Sequence, residues 1–238
     1  AIVGQLDMPF FYTVGNHDIG NEVMRQLWLE RNGRDYYHFL YREVLFISLN
    51  TEDPPVQLDE QTLQGQTRLE AMMRNDPEAT QKMILVRAAE RVSGKTLLPG
   101  DVAISDRQLE WVAGVLKDNP DVRWTIVLMH KPAWEYDHPG FAKIEALLAE
   151  RPHTVIAGHE HYYNYSRRGD ADYITMATTG GVWLDPGGGA FDHIAWVTMT
   201  DSGPRISNIA VCGLLGSPAQ TAAAMGKADS TQCFNPGD

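Results

Sequence analysis

The sequence lacks the features that would at once indicate a membrane or nucleic-acid-binding protein. No stretch approaches the roughly 18 consecutive apolar residues that a membrane helix needs, and no run of lysine or arginine stands out. Membrane spanning and general nucleic-acid binding, which needs a basic patch, are therefore not expected. The net charge is −11, from 31 acidic and 20 basic residues. This negative charge does not exclude an anionic ligand, because bound metal ions can supply local positive charge.

Cysteine is also scarce. Cys212 and Cys233 lie near the C-terminus and lack the C-x-x-C spacing of a zinc ribbon or a redox pair. A disulfide between them would indicate an oxidising compartment, secreted or periplasmic, whereas two free thiols would not. The first residues do not resemble a signal peptide. The sequence therefore leaves the localisation open.

Three predicted strands end in turns that carry histidine or asparagine. The strands are Pro9–Val14, Trp124–Met129 and Thr154–Ala157, and the turns are Gly15-Asn16-His17-Asp18, His130 and Gly158-His159-Glu160-His161. The carboxyl ends of parallel strands meet at one edge of a sheet, where ligands bind. Imidazole and amide groups are common ligands of transition metals. The pattern predicts a metal site, with an ordinary polar turn, a structural histidine and a chance surface pair as the alternatives.

Other patterns predict the rest of the fold. Further strands are expected at Tyr36–Tyr41, Val44–Asn50, Tyr173–Thr178, His193–Thr200 and Arg205–Val211, and helices after the caps Asn21 and Ser105. Residues 51–104 are interpreted as a helical insertion, with helices at about Asp59–Arg74 and Pro77–Arg91. Arg167 and Arg168 are interpreted as a basic turn or a phosphate contact. The predicted domain covers residues 1–213, and 214–238 form a loop-like tail.

The polar turns also resemble the third, fourth and fifth motifs of the calcineurin-like metallophosphoesterases. The residues that carry the resemblance are Gly15-Asn16-His17-Asp18, Val127-Leu128-Met129-His130-Lys131-Pro132 and Gly158-His159-Glu160-His161, supported by Phe46–Asn50 and Ser105–Leu116. The similarity covers most of residues 9–50 and 101–200. It implies an α/β fold in which a sandwich of two β-sheets is flanked by helices.

The resemblance further implies metal-dependent hydrolysis of phosphate mono- or diesters by a metal-bound hydroxide nucleophile. Two divalent or trivalent ions are expected, of iron, manganese or zinc. Asn16, His130 and His159 would bind one ion and His161 the other. His17 would stabilise the phosphoryl oxygens or protonate the leaving group. Asp18 would orient His17.

The sequence departs from this family upstream of Gly15. The first two family motifs, D-x-H and G-D-x-x-D or G-D-x-x-N, do not occur in residues 1–14, and Gly4-Gln5-Leu6-Asp7 does not match the second. We therefore expect the sequence to begin partway through a longer protein, without the first strands of the sheet. The alternative function is an inactive module of the same fold that binds a protein partner through residues 51–104. A metallo-β-lactamase fold is disfavoured, because Tyr162 and Tyr163 interrupt its H-x-H-x-D-H motif.

Overall fold

The fold was analysed in a computed structural model that describes residues 3–55, 59–80, 82–83, 86, 97–180, 189, 191–210 and 213–216. The helices are α1 (Asn16–Ile19), α2 (Glu22–Asn32), α3 (Glu60–Asn75), α4 (Asp106–Asp118) and α5 (Pro139–Leu148), with short 3₁₀ turns at Val3–Gln5 and Pro99–Asp101. The strands are β1 (Tyr37–Tyr41), β2 (Val44–Ser48), β3 (Trp124–Leu128), β4 (His153–Ala157), β5 (Asn164–Arg168), β6 (Ala171–Thr175), β7 (His193–Thr200), β8 (Gly203–Ala210) and β9 (Gly213–Gly216).

These strands form two sheets, as predicted. A six-stranded sheet has the order β1-β2-β3-β4-β6-β5, and a three-stranded sheet has the order β7-β8-β9. In the larger sheet β2, β3, β4 and β6 run parallel, while β1 and β5 are antiparallel edge strands. The carboxyl ends of the four parallel strands therefore lie along one edge. The α/β class and the pair of sheets are confirmed.

The central strands are buried because helices cover one face of the larger sheet. In β2 four of the five positions are buried, as expected for a parallel strand with both faces covered. Val112 of α4 and Phe141 and Ile144 of α5 pack into the same core as Leu45 and Val127. Each of these side chains is almost fully withdrawn from water. This core holds the strand ends, and the turns that follow them, in place.

Both predicted helix caps are present. The Asn21 side chain accepts a hydrogen bond from Met24 N (3.0 Å) at the start of α2. The Ser105 hydroxyl accepts one from Gln108 N (3.1 Å) at the start of α4. The helix α2 ends at Gly33, whose positive φ of 82° is readily adopted only by glycine. The capping residues identified in the sequence therefore predict where these helices begin and where α2 ends.

The smaller sheet packs on the larger one near β5 and β6. Tyr163 and Ile174 form one apolar cluster with Phe191, Ile206 and Ala210. At Gly203, which begins β8 with φ of 111°, a Cβ atom would lie only 2.6 Å from the Trp124 ring. The absence of a side chain at this position therefore allows the β7–β8 turn to approach the start of β3.

The prediction of a buried strand at residues 9–14 is wrong. The segment belongs to neither sheet, and Phe10, Phe11 and Tyr12 are 49%, 52% and 45% exposed. Both edges of β2 are already paired, with β1 and β3. The segment instead contacts the sheet through side chains, because the Phe11 ring stacks on Phe39 with 4.1 Å between centroids. A run of apolar residues indicates that the segment packs against other apolar side chains, but it does not show that the segment pairs with a strand.

Two further predictions near the C-terminal half need correction. Arg167 and Arg168 do not form a turn, because they belong to the edge strand β5. Arg168 contacts Glu145 (2.8 Å) and lies over the Tyr173 ring, so its charge is compensated within the fold. Residues 214–216 belong to β9 and are not the start of a loop. The rest of the predicted tail, Cys212 and Cys233 lie outside the described residues.

The two ends of the predicted insertion are joined by backbone hydrogen bonds, which form a closed neck at Thr51, Asp53 and Ala103. Ala103 N donates to Thr51 O (2.9 Å), and Asp53 N donates to Ala103 O (3.0 Å). The first predicted helix of the insertion is confirmed by α3, whereas most of the second lies outside the described residues.

None of the helices in the described ranges combines the length and apolar character needed to cross a bilayer.

Candidate metal centre

Three donor atoms from three separate elements meet at the carboxyl edge of the larger sheet. The side-chain oxygen Oδ1 of Asn16 lies 2.8 Å from His130 Nε2. The ring nitrogen Nδ1 of His159 lies 3.0 Å from the same His130 atom. The structure therefore brings together the three residues that the sequence predicted for one metal ion.

The backbone explains why these residues converge. His130 follows β3 and Gly158 follows β4, and the two strands are parallel neighbours. The amide of Gly158 donates to His130 O (2.9 Å), which continues the pairing one step beyond the strands. Asn16 enters from α1, where Val14 and Ile19 are anchored in a small core with Trp28.

His130 is held as a neutral ring. Burial lowers its pKa to about 4, and the charges of Lys131, His17 and His161 act in the same direction. A neutral imidazole has a lone pair available for a metal ion at neutral pH.

The turn that carries His159 and His161 is strained. His159 has φ of 71° and His161 has φ of 59°, a conformation that side chains other than glycine seldom adopt. Such strain persists only where surrounding contacts enforce it, and it is concentrated at functional sites. Here the buried Glu160 accepts a short hydrogen bond from the hydroxyl of Tyr136, itself buried in the main core. This contact fixes the turn between the two histidines.

His17 and Asp18 are both exposed at the same edge. They line a cavity of about 460 Å³ together with Tyr12, Trp28 and Arg31. The Asp18 carboxylate accepts from Gly15 N (2.9 Å), so it fixes the turn that carries Asn16 and His17. Among the contacts of the described residues, the expected hydrogen bond between Asp18 and His17 is not present.

The donor set fits a transition-metal ion. Ligands about 2.1 Å from an ion and about 90° apart are separated by about 3.0 Å. This is close to the 2.8 and 3.0 Å that separate His130 Nε2 from the donor atoms of Asn16 and His159. Within the described ranges, no three His, Cys, Asp or Glu side chains form such a group by themselves. The amide oxygen of Asn16 is what completes the set with His130 and His159.

Comparison with protein-family models identifies the family of the chain. The family model described as calcineurin-like phosphoesterase matches residues 2–163, which include all three polar turns. The chain belongs to the calcineurin-like phosphoesterase family. A comparison with curated proteins gave no match.

The sequence did not reveal a buried polar network beside the candidate metal centre. After β2, Asn50 is fully buried and exchanges hydrogen bonds with the Gln108 side chain through its backbone. Its own side chain accepts from Glu52 N and donates to Asp35. Glu52 in turn contacts Lys131 at 2.6 Å, next to His130. The only available signal was the polar run of residues 50–53 directly after a buried strand.

Proposed function

We propose that this phosphoesterase hydrolyses phosphate mono- or diesters at a dinuclear metal centre. Asn16, His130 and His159 would hold one ion, and His161 would bind the other. The convergence of the three donor atoms carries the proposal. Ions bound there would lower the pKa of a coordinated water, making hydroxide available as the nucleophile, and would neutralise charge on the phosphate.

The protein itself supplies orientation and protons. We assign His17 as the group that donates a hydrogen bond or a proton to the ester oxygens, because it is exposed and lines the cavity at this edge. General-acid help of this kind is worth about 10²–10⁴-fold in rate. Asp18 acts as a positioning residue, because its carboxylate holds Gly15 N at the start of the same turn.

The family and the assembled donors support hydrolysis over an inactive binding module. A module that had lost catalysis would have no need to keep a strained turn at His159 and His161. The helical insertion at residues 51–104 is retained as a second proposal, a separate surface for a protein partner. It is joined to the domain through its neck.

Metal content and hydrolysis test the proposal together. Purified, unchelated protein should contain about two metal atoms per chain by elemental analysis. It should hydrolyse p-nitrophenyl phosphate or its bis ester, lose that activity with a chelator and regain it with added manganese, zinc or iron. Hydrolysis that survives complete removal of metal would contradict the proposal. So would metal-replete protein that cleaves neither ester.

Gly15 gives a steric test of the same centre. A Cβ atom at this position would lie 2.9 Å from Cγ and Nδ1 of His130, so the ring must shift. We expect Gly15→Ala to lower hydrolysis by about 100-fold, the effect of misplacing a reacting group by about 1 Å. Gly158→Ala is the matched control, because its Cβ would meet only His130 O, at 3.9 Å. Equal activity of the two variants, measured at saturating metal, would show that the position of His130 is unimportant.

A further inference from the structure

A second cavity lies apart from the candidate metal centre and shares none of its donor residues. It has a volume of about 450 Å³ and lies between α2, the connection from α2 to β1, and α4. Its walls include three arginines and two aromatic rings. A volume of a few hundred Å³ is typical of sites that enclose small molecules.

The cavity carries uncompensated positive charge. Arg25 is neutralised, because its Nε lies 2.7 Å from Oδ2 of the buried Asp35. Arg34 and Arg107 form no ion pair with any acid in the part of the chain that the structure describes. Two free guanidinium groups therefore face one cavity in a protein whose net charge is −11. Guanidinium groups bind phosphate oxygens in a two-pronged geometry.

The same cavity has aromatic walls. The rings of Tyr36 and Trp111 are 5.0 Å apart and tilted by 57°. Arg107 and Trp111 are four residues apart on α4, so they lie on one face of the helix. Arg107 and Tyr36 both line the cavity, so the guanidinium group and the ring face the same space. A planar group bound here would contact aromatic rings while its anionic part reached the arginines.

We propose that this cavity is a binding site for a nucleoside phosphate. Arg34 and Arg107 bind the phosphate, and Tyr36 and Trp111 contact the base. A bare anion would use the guanidinium groups alone, and an uncharged nucleoside would use the rings alone. The combination selects a ligand that has both parts.

Equilibrium dialysis of the full chain tests this assignment with a hydrolysis-resistant probe, adenosine 5′-(α,β-methylene)diphosphate. Adenosine and methylenediphosphonate serve as its two fragments. The nucleotide should bind more tightly than either fragment. Arg34→Ala/Arg107→Ala should weaken binding by about 100-fold, about tenfold for each charged hydrogen bond removed.

The control is Arg68→Ala/Arg74→Ala, which removes the same charge from two exposed positions on α3. This variant should bind the probe as the wild type does. Absence of binding by the wild type would overturn the proposal, and so would binding that Arg34→Ala/Arg107→Ala leaves intact, since the probe would then lie elsewhere. Equal affinity for methylenediphosphonate and the nucleotide would reduce the cavity to a simple anion site and also reject the proposal.

Discussion

His130→Ala is expected to weaken metal binding by more than about 100-fold and to abolish measurable phosphoester hydrolysis at low metal concentration. His130 Nε2 is the atom that contacts both other donors, at 2.8 Å from Asn16 and 3.0 Å from His159. Loss of a residue that only supports a metal ligand costs about 10–100-fold in affinity or activity. Removal of a ligand itself should exceed that range. Titration with metal, followed by both elemental analysis and hydrolysis, measures the effect.

His38→Ala is the matched control for this substitution. His38 is an exposed histidine on the edge strand β1 and contributes nothing to the donor set. In His130→Ala the backbone oxygen at position 130 still accepts a hydrogen bond from Gly158 N, so this edge of the sheet should stay folded. If His130→Ala kept wild-type metal content and rate while folding normally, the proposed centre would be in the wrong place.

Glu52→Ala is expected to lower the free energy of unfolding by about 3–5 kcal/mol, the usual result of leaving one buried charge without its partner. The Glu52 carboxylate lies 2.6 Å from Lys131 Nζ, and their side chains are only 6% and 11% exposed. Burial raises the pKa of Glu52, and the ammonium group of Lys131 opposes the rise. The charged form of Glu52 is therefore stabilised by Lys131. Without Glu52, the contact left to Lys131 Nζ among the described residues is its hydrogen bond to Asp101 O.

Denaturant unfolding of matched variants tests this dependence. Glu70→Ala breaks the ion pair with Arg74, whose side chains are 70% and 75% exposed, and should change stability by at most about 0.5 kcal/mol. Glu52→Gln/Lys131→Met removes both buried charges and should recover much of the lost stability. A loss for Glu52→Ala as small as that for Glu70→Ala would mean that the pair is solvated in the folded protein.

The sequence correctly predicted the strands that precede His130 and His159, because local and global signals agreed there. Trp124–Leu128 is a continuous apolar run, and such a run is favoured in a parallel strand covered on both faces. The polar residue that follows must then lie at the carboxyl edge, where His130 is found. The roles of the individual side chains at that edge stay predictions until they are tested by substitution.

Prediction from the sequence failed where an element is held by contacts between residues that are far apart in the chain. The strand β5 is polar except for Tyr165, and it is held by pairing with β6 and by the contact of Arg168 with Glu145. The contact between Glu52 and Lys131 joins residues that are adjacent only because β2 and β3 pair. Neither contact leaves a local signal, because each depends on which strands become neighbours.

The closed neck at Thr51, Asp53 and Ala103 determines how changes in the enclosed segment affect the rest of the domain. The chain leaves and re-enters the domain at one point, so the enclosed segment does not determine how β2 and β3 pair. Doubling the length of such a closed segment costs only about 0.6 kcal/mol in chain entropy. Changes in the length of the enclosed segment should therefore cost little stability and leave the pairing of β2 with β3 in place.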